Sequence, residues 1–339
     1  MSFARAIAVF ALPSCLLPAL LPAAPDFSVN VPDFSLVVEQ GKRLTRLHSI
    51  LVSRHGQLVL EQYFHGTRAN SYENTKSASK SVISALIGIA IDRKLIGGLD
   101  TPIAQYFPQL NAASIDPRKK QITIEDLLSM RSALVETNRG YGPWVRSPNW
   151  VNYLLTKPMQ GSPREIMNYN TGNTHLLSAI LTKVSGTSTL DFARKTLAQP
   201  LGVTLPAWPT DPQGIYFGGN DMLLTPRAML KFGELYLNKG KIGEQQVVPE
   251  KWVEDSWQPR AASPISGHSY GLGWWSRDFA GHSTHFAWGF GGQYIFVVPD
   301  LDLVVVTTSS VALGDDRREY RSELFHIVEN QVIAPMAAH

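Results

Sequence analysis

Cysteine is almost absent from this chain of 339 residues, and the single one, Cys15, lies in an apolar N-terminal stretch. If that stretch is removed during export, the mature chain has no thiol. Disulfides, a cysteine nucleophile and a thiolate-ligated metal are then excluded. Close histidine pairs are also lacking. His282 and His285 would point to opposite faces of a strand, and the sequence offers them no evident carboxylate partner, so we expect no metal site.

The chain also lacks an excess of either charge. Its 31 basic and 28 acidic residues give a net charge of +3, which is too balanced to indicate binding to nucleic acid or to an anionic membrane surface. With 44% hydrophobic and 17% charged residues, the chain can form a large core and does not resemble a disordered protein. Its length fits two domains, or one domain that carries an insertion.

The long apolar run at the N-terminus resembles an export signal. Arg5 precedes a mostly apolar segment over 6–21, and the small residues Ala23 and Ala24 follow. The segment is short and rich in proline, which argues against a stable bilayer span. We therefore predict a targeting segment over 1–24 and a periplasmic or secreted mature chain without stable membrane insertion. A retained N-terminal anchor and a buried segment are the alternatives.

Patterns of periodicity divide the chain into strands at both ends and helices between them. The sequence predicts a hairpin that turns at Gly56, a buried helix over 77–96, closely spaced strands from residue 270, and a terminal helix over 318–333. Short connections between successive strands imply antiparallel neighbours. We expect an α+β fold in which an antiparallel sheet is flanked by helices and carries an all-helical insertion.

The same patterns predict where the domains lie. Segments 25–99 and 216–339 would form the sheet domain. Residues 100–215, where helical patterns are broken by proline and glycine, would form the helical domain.

Ser77 and Lys80 stand three residues apart at the start of the buried helix. Residues at this spacing share one helix face, so the amine can reach the hydroxyl. Unpaired N–H groups at the helix N-terminus stabilise negative charge that develops nearby during a reaction. A serine beside an amine base is a typical nucleophile, although Ser-x-x-Lys arises about once by chance in a chain of this length.

Two further segments carry candidate chemistry. Tyr169 precedes a polar turn before a helix expected at Thr174, and a nearby lysine would lower its pKa towards a phenolate that acts as a general base. The segment 287–293 is rich in glycine, which permits close approach of the backbone to a ligand. A free N–H there would complete an oxyanion hole with the N–H of Ser77. A surface tyrosine and a glycine-rich bulge are the alternatives for the two segments.

In this order and spacing, the three constellations resemble the serine β-lactamase and penicillin-binding-protein superfamily. The chain is most similar to class C-like members, including family VIII esterases and 6-aminohexanoate-dimer hydrolases. The resemblance covers roughly residues 45–335 and includes further matches at 124–132, 224–229, 270–275 and 291–294.

The resemblance implies a β-lactamase/transpeptidase-like fold and an acyl-enzyme mechanism without a metal or organic cofactor. Ser77 would be the acylated nucleophile, with Lys80 and Tyr169 as general bases. The backbone N–H groups of Ser77 and Phe290 would hold the oxyanion. The substrate would be a small-molecule ester, an amide or a short peptide.

The Tyr-x-Asn triplet of the superfamily is altered, because it reads Tyr169-Asn170-Thr171 here. The asparagine is displaced by one position. Thr171, Asn170 or Asn173 would supply the missing polar contact, and we place Thr171 and Asn173 among the substrate-binding residues.

The Lys-Thr-Gly motif is altered as well, because it reads Ala287-Trp288-Gly289. The cation and hydroxyl that would hold a β-lactam carboxylate are absent, and the bulky Trp288 narrows the pocket. We place Trp288 and Gly289 at the substrate. This change favours ester or amide hydrolysis.

Three other functions stay open. A β-lactamase or an enzyme that processes D-Ala peptides is one alternative, and a non-catalytic or slowly turning-over binding protein of the same fold is another. Ser269 also lies in a Gly-x-Ser-x-Gly pattern typical of α/β-hydrolases. That motif needs a strand before the serine and a helix after it, and the aromatic pattern that follows favours a strand.

Overall fold

The computed structural model describes residues 31–139, 141–312, 314 and 316–338. The predicted targeting segment over 1–24 lies outside these residues. Within the described part, no helix combines the length and the apolar character needed to cross a bilayer.

One eight-stranded antiparallel sheet organises the fold. Its strand order is β2-β1-β12-β11-β10-β9-β8-β7, and two small two-stranded pairs, β3 with β4 and β5 with β6, lie outside it. The strands are β1 (Leu47–Arg54), β2 (Gln57–Tyr63), β3 (Glu73–Asn74), β4 (Leu223–Leu224), β5 (Lys241–Ile242), β6 (Gln245–Gln246), β7 (Ala261–Ala262), β8 (Ser269–Tyr270), β9 (Trp275–Phe279), β10 (His282–Gly289), β11 (Gln293–Val298) and β12 (Leu303–Ser309).

The central strands are buried on both faces because their side chains alternate between two cores. Ile295 and Val297 of β11 belong to one hydrophobic cluster, whereas Tyr294 and Phe296 belong to the other. This two-residue period is the expected geometry of a strand. Helices therefore cover both sides of the sheet.

Twelve α-helices surround the sheet in the described part of the chain. They are α1 (Ser35–Arg43), α2 (Ser79–Asp92), α3 (Ile124–Leu128), α4 (Tyr141–Val145), α5 (Trp150–Thr156), α6 (Thr171–Ser185), α7 (Thr189–Ala193), α8 (Gln199–Leu201), α9 (Pro226–Leu237), α10 (Glu250–Trp257), α11 (Arg317–Ile327) and α12 (Ala334–Ala337). A 3₁₀ turn, Lys76–Ala78, leads into α2. Twelve of the fourteen residues of α2 are buried, so this helix lies inside the core.

The predicted fold class is confirmed, with differences at element boundaries. Helix α6 begins at Thr171 rather than Thr174, because the Asn170 side chain accepts the N–H of Gly172 and caps the helix earlier. The strand predicted over 271–275 is wrong except at its last residue, Trp275. Gly271 donates its N–H to the carbonyl of Trp274, and this turn separates β8 from β9.

Residues 100–215 contain α3 to α8 and isolated bridges, as expected of a helical segment. One hydrophobic cluster nevertheless joins Leu154 and Leu177 of this segment to Ile83 and Val304 of the other. The division into two domains stays a prediction.

Candidate active site

One cavity of about 770 Å³ brings most of the candidate residues together. Its wall includes Ser77, Tyr169, Thr171, Trp288 and Phe290. These side chains come from the turn before α2, the start of α6 and the end of β10. The cavity therefore opens where the sheet meets the helical segment.

Ser77 and Lys80 are placed by one continuous stretch of helix. Ser77 lies in the 3₁₀ turn and Lys80 in the first turn of α2, so the i, i+3 spacing sets both side chains on one face. The Lys80 Nζ lies 3.0 Å from the Ser77 Oγ. Ser77 is partly open to the cavity, whereas Lys80 is only 1% exposed. The amine can therefore exchange a proton with the hydroxyl while water is excluded from it.

The Lys80 Nζ has two further oxygen neighbours. The Thr171 Oγ1 lies at 3.1 Å and the Gly219 carbonyl oxygen at 2.6 Å. An ammonium, with three N–H donors, satisfies all three oxygens. A neutral amine would donate to Thr171 and Gly219 and would turn its lone pair towards the Ser77 hydroxyl. The same geometry therefore suits both protonation states.

Burial lowers the pKa of Lys80 from its ordinary value of 10.5 to about 7, while the carboxylate of Asp221 acts in the opposite direction. Desolvation disfavours the charged form of an amine, and no carboxylate lies among the hydrogen-bonded partners of Lys80 to compensate. At neutral pH, Lys80 is thus unprotonated in a large fraction of the molecules and is then able to accept a proton.

The ring of Tyr169 lies beside Lys80, with the Lys80 Nζ 5.1 Å from the ring centroid. Burial raises the pKa of Tyr169 well above its usual value, although the neighbouring Ser77 hydroxyl and Trp275 indole lower it in part. The predicted fall of this pKa is therefore wrong. Burial removes water from the phenol and disfavours its charged form. Tyr169 is therefore a protonated phenol near neutral pH, and its hydroxyl can donate a proton.

Thr171 makes a polar contact with Lys80. Its hydroxyl accepts a hydrogen bond from Lys80 and donates one to the Asn138 Oδ1, at 2.8 Å. Asn170 is occupied elsewhere, because its Oδ1 accepts from the Thr137 hydroxyl at 2.7 Å as well as from the Gly172 N–H. Of the three residues that could make this contact, Thr171 therefore makes it.

Asn173 does not line the cavity. It is fully buried, and its Oδ1 accepts a hydrogen bond of 2.8 Å from the Ser132 hydroxyl. Because α6 begins at Thr171, position 173 turns into the core instead of extending into a loop. The prediction that Asn173 contacts the substrate does not fit this position.

The end of β10 packs closely against the backbone of the segment that leads to Ser77. A Cβ at Gly289 would overlap the carbonyl oxygen of Thr75, so only glycine permits this approach. Gly289 is buried and is not part of the cavity wall, whereas Phe290 is 37% exposed and is part of it. Trp288 packs 5.4 Å from Trp275, measured between ring centroids. Gly289 thus acts through backbone packing, and its neighbours reach the cavity.

Sequence reasoning missed several residues of the site. Gly219 supplies the closest partner of Lys80, Asn138 holds Thr171, and Trp275 forms part of the wall. Gly219 has a φ of +90°, and a Cβ there would overlap Thr174. The adjacent glycines Gly218 and Gly219 were the available signal, since such a pair is typical of a close backbone approach.

The alternative motifs at Ser269 and at His282 and His285 do not lie in the structural setting that a hydrolase nucleophile or a metal site requires. Ser269 lies on the two-residue strand β8, and β9 rather than a helix follows. His282 has a carboxylate partner that we did not expect, since its Nδ1 lies 2.6 Å from the Asp300 Oδ2. Across the described ranges, no group of three or more histidine, cysteine or acidic side chains is arranged to hold a metal ion.

Comparisons with known proteins find relatives in sequence and in fold. The chain is 26% identical over 315 residues to a 6-aminohexanoate-dimer hydrolase of Paenarthrobacter ureafaciens, covering 86% of this chain and 78% of that protein. EstCE1, described as a hydrolase with promiscuous acyltransferase activity, superposes with a TM-score of 0.68 at 19% identity, covering 87% of this chain and 96% of that one. A D-stereospecific amidohydrolase from Streptomyces sp. also gives a TM-score of 0.68, at 14% identity, covering 88% and 98% of the two chains.

The two solved structures are similar to this chain in fold. The family model named Beta-lactamase matches residues 46–327, which includes every residue of the cavity wall described above. This chain belongs to the beta-lactamase family.

Proposed function

We propose that this protein is a serine hydrolase that cleaves small esters or amides through an acyl-enzyme on Ser77. The observation that carries the proposal is the distance of 3.0 Å between the Ser77 Oγ and the Nζ of a buried lysine. A lysine whose pKa lies at about 7 is matched to general base catalysis at neutral pH.

The reaction begins when neutral Lys80 accepts the proton of the Ser77 hydroxyl. The Ser77 Oγ attacks the substrate carbonyl carbon, and the N–H groups of Ser77 and Phe290 stabilise the resulting oxyanion. The tetrahedral intermediate then collapses. The bond to the leaving group breaks, and the Tyr169 phenol protonates the departing oxygen or nitrogen. Lys80, as an ammonium, returns that proton to Tyr169.

Deacylation repeats these steps with water as the nucleophile. Lys80, which is neutral again, accepts a proton from the attacking water. Collapse of the second intermediate breaks the bond between the acyl carbon and the Ser77 Oγ. The protonated lysine returns a proton to Ser77, and the free acid leaves.

The residues of the cavity wall favour binding of an uncharged, largely apolar substrate. Trp275, Trp288 and Phe290 contribute aromatic surface, and Ile265 stands 89% exposed at the rim. Lys76 also lines the cavity, but its Nζ is paired with Asp221 at 2.6 Å. These features favour a neutral ester or amide over a β-lactam with its carboxylate. The relative from Paenarthrobacter ureafaciens is a hydrolase of the 6-aminohexanoate dimer, which supports an amide bond as one target of the reaction.

Export is part of the proposal, on the basis of the apolar segment over 6–21. Expression of the full chain, followed by fractionation and N-terminal sequencing, tests it. A cleaved product outside the cytoplasm is expected. An intact chain in the cytoplasm would contradict export.

A substrate panel tests the hydrolase proposal. It contains p-nitrophenyl esters, an amide dimer and a chromogenic cephalosporin, and each substrate is assayed with Ser77→Ala and Ser269→Ala as matched variants. We expect ester or amide turnover that only Ser77→Ala abolishes. Preferential turnover of the cephalosporin would favour the β-lactamase alternative.

Labelling separates enzyme from binding protein. A serine-directed phosphonate is expected to label Ser77 in the intact protein. A substrate-derived acyl adduct that forms at Ser77 and is released very slowly would favour the binding-protein alternative. Lack of any adduct at Ser77 would refute the proposed mechanism.

A further inference from the structure

A buried histidine–aspartate pair lies directly behind the candidate active site. The His175 Nε2 lies 3.1 Å from the Asp211 Oδ2, and both side chains are fully buried. His175 follows Thr171 by one turn of α6, so the two residues share a face of the helix. Thr171 contacts Lys80, and its helical neighbour therefore points towards the same region.

The surroundings of His175 fix its protonation. The rings of Trp144, Trp150 and Phe217 enclose it, at centroid distances of 5.8, 5.2 and 6.0 Å. Burial lowers the pKa of His175, with the Asp211 carboxylate acting against it, so the imidazole is neutral. Its Nδ1 accepts the Gly218 N–H at 3.4 Å. The proton of the ring is therefore on Nε2, which donates it to Asp211.

Asp211 organises the loop that leads back to Lys80. Its Oδ1 accepts the N–H groups of Gln213 and Ile215, at 2.8 and 2.9 Å. The loop then runs through Gly218, which is bonded to His175, to Gly219, whose carbonyl accepts from Lys80. The His175–Asp211 pair thus holds this loop at two points. One is Asp211 at its start, and the other is Gly218, the residue before Gly219.

Close packing leaves this loop little freedom. A Cβ at Gly218 would overlap the Thr174 carbonyl, and one at Gly219 would lie 2.8 Å from the Lys80 Cγ. The backbone of the loop therefore covers the lysine stem directly. A small displacement of the loop would open the space around Lys80 to water.

We propose that His175 and Asp211 are positioning residues for Lys80, which hold the Gly218–Gly219 segment so that its carbonyl faces the amine and its backbone excludes water. The inference rests on the proposed function, in which Lys80 is the base. Neither His175 nor Asp211 lines the cavity. Both therefore act through Gly219 and not on the substrate.

The proposal predicts a specific change with pH. The titratable and charged groups near Lys80 are Tyr169 and Asp221, and Asp221 is paired with Lys76. Since burial is the main cause of the low pKa of Lys80, water that enters past a loosened loop raises this pKa. A rise from about 7 to about 8 would lower the neutral fraction at about pH 7 from about a half to about a tenth, which is about fivefold.

Asp211→Asn and His175→Gln test the proposal. The rate of Ser77 labelling by a phosphonate and kcat/KM for a p-nitrophenyl ester are measured from about pH 6 to about pH 9. We expect the labelling rate and kcat/KM to fall about fivefold near pH 7 and to be largely restored near pH 9. The acid limb of the pH profile should shift to higher pH. Asp211→Asn keeps the size of the side chain and an oxygen acceptor for the Nε2–H, so it carries the test if His175→Gln does not fold.

Trp150→Phe is the matched control, because Trp150 packs on His175 from α5, outside the loop, and its Nε1 donates to the Val145 carbonyl. It is expected to lower the melting temperature while the acid limb stays in place. An equal loss of activity at all pH values in folded Asp211→Asn, or an unmoved acid limb, would overturn the positioning role. If Lys80→Met retained activity, the proposed function itself would fail, and that result is distinct from an unmoved limb.

Discussion

Lys80→Met replaces a buried ionisable amine by an apolar chain of similar length. In the folded protein, burial lowers the pKa of Lys80 from 10.5 to about 7, whereas the unfolded chain keeps the ordinary value. Between these two pKa values the unfolded state binds more protons than the folded state. The free energy of unfolding of the wild type therefore rises with pH in this window, and Lys80 destabilises the fold most strongly at and below about pH 7.

The size of the effect follows from the two pKa values. Each pKa unit corresponds to about 1.4 kcal/mol. Linkage then gives a destabilisation by Lys80 of about 4 kcal/mol at about pH 7, which falls to about 2 kcal/mol at about pH 9. Methionine leaves the Gly219 carbonyl without its lysine donor, at a cost of about 1–3 kcal/mol. This cost does not titrate, so it cancels when one variant is compared at two pH values.

Urea unfolding of the wild type and Lys80→Met at the two pH values measures this difference. The stability advantage of the variant over the wild type should shrink by about 2 kcal/mol from about pH 7 to about pH 9, because only the wild type gains stability from loss of the Lys80 proton. Ser77→Ala is the control, since it is inactive but retains the amine and should follow the wild type. If the free energies of unfolding of the wild type and of Lys80→Met changed equally with pH, the assignment of a low pKa to Lys80 would be refuted.

Three further variants probe the site. Thr171→Val removes the hydroxyl that bonds to Lys80 and should lower kcat/KM about tenfold, since a hydrogen bond contributes about 1 kcal/mol or more. Thr171→Asn should recover activity in the same assay, and full activity of the valine variant would contradict this role. Gly219→Ala places a Cβ against Thr174 at a φ of +90°, so loss of phosphonate labelling at Ser77 is expected, and unchanged labelling would show that the loop can move. Asn170→Ala removes the α6 cap and should cost about 1 kcal/mol of unfolding free energy in urea denaturation. An unchanged urea midpoint would contradict the capping role.

Local spacing and superfamily motifs were enough to predict the centre of the site. Ser77 and Lys80 lie on one helix face, so their contact follows from chain geometry alone. Tyr169 and the β10 end were candidates because of their residue types. Only the resemblance joined them to Ser77 in one site, since no local rule sets their distance from it. The alternating strands near the C-terminus likewise predicted the sheet and its antiparallel connections.

Contacts between distant loops could not be predicted in this way. Gly219 reaches Lys80 through a backbone carbonyl, which carries no residue-specific signal in the sequence. Asn173 was placed at the substrate as a replacement for the displaced asparagine of the triplet. The cap at Asn170 starts α6 three residues earlier than expected, and Asn173 is buried in the core. The pKa of Tyr169 was misjudged because burial, which only the packed structure reveals, raises it.

Helix α2 has a consequence for how this protein can diversify. Because twelve of its fourteen residues are buried, the short 3₁₀ turn that carries the proposed nucleophile, Ser77, is attached to the core and not to an adjustable loop. Mutations that alter the packing of α2 would change foldability and reactivity together. In a laboratory evolution experiment, new substrate preferences should therefore accumulate in rim residues such as Ile265, where a side chain can change without disturbing the core.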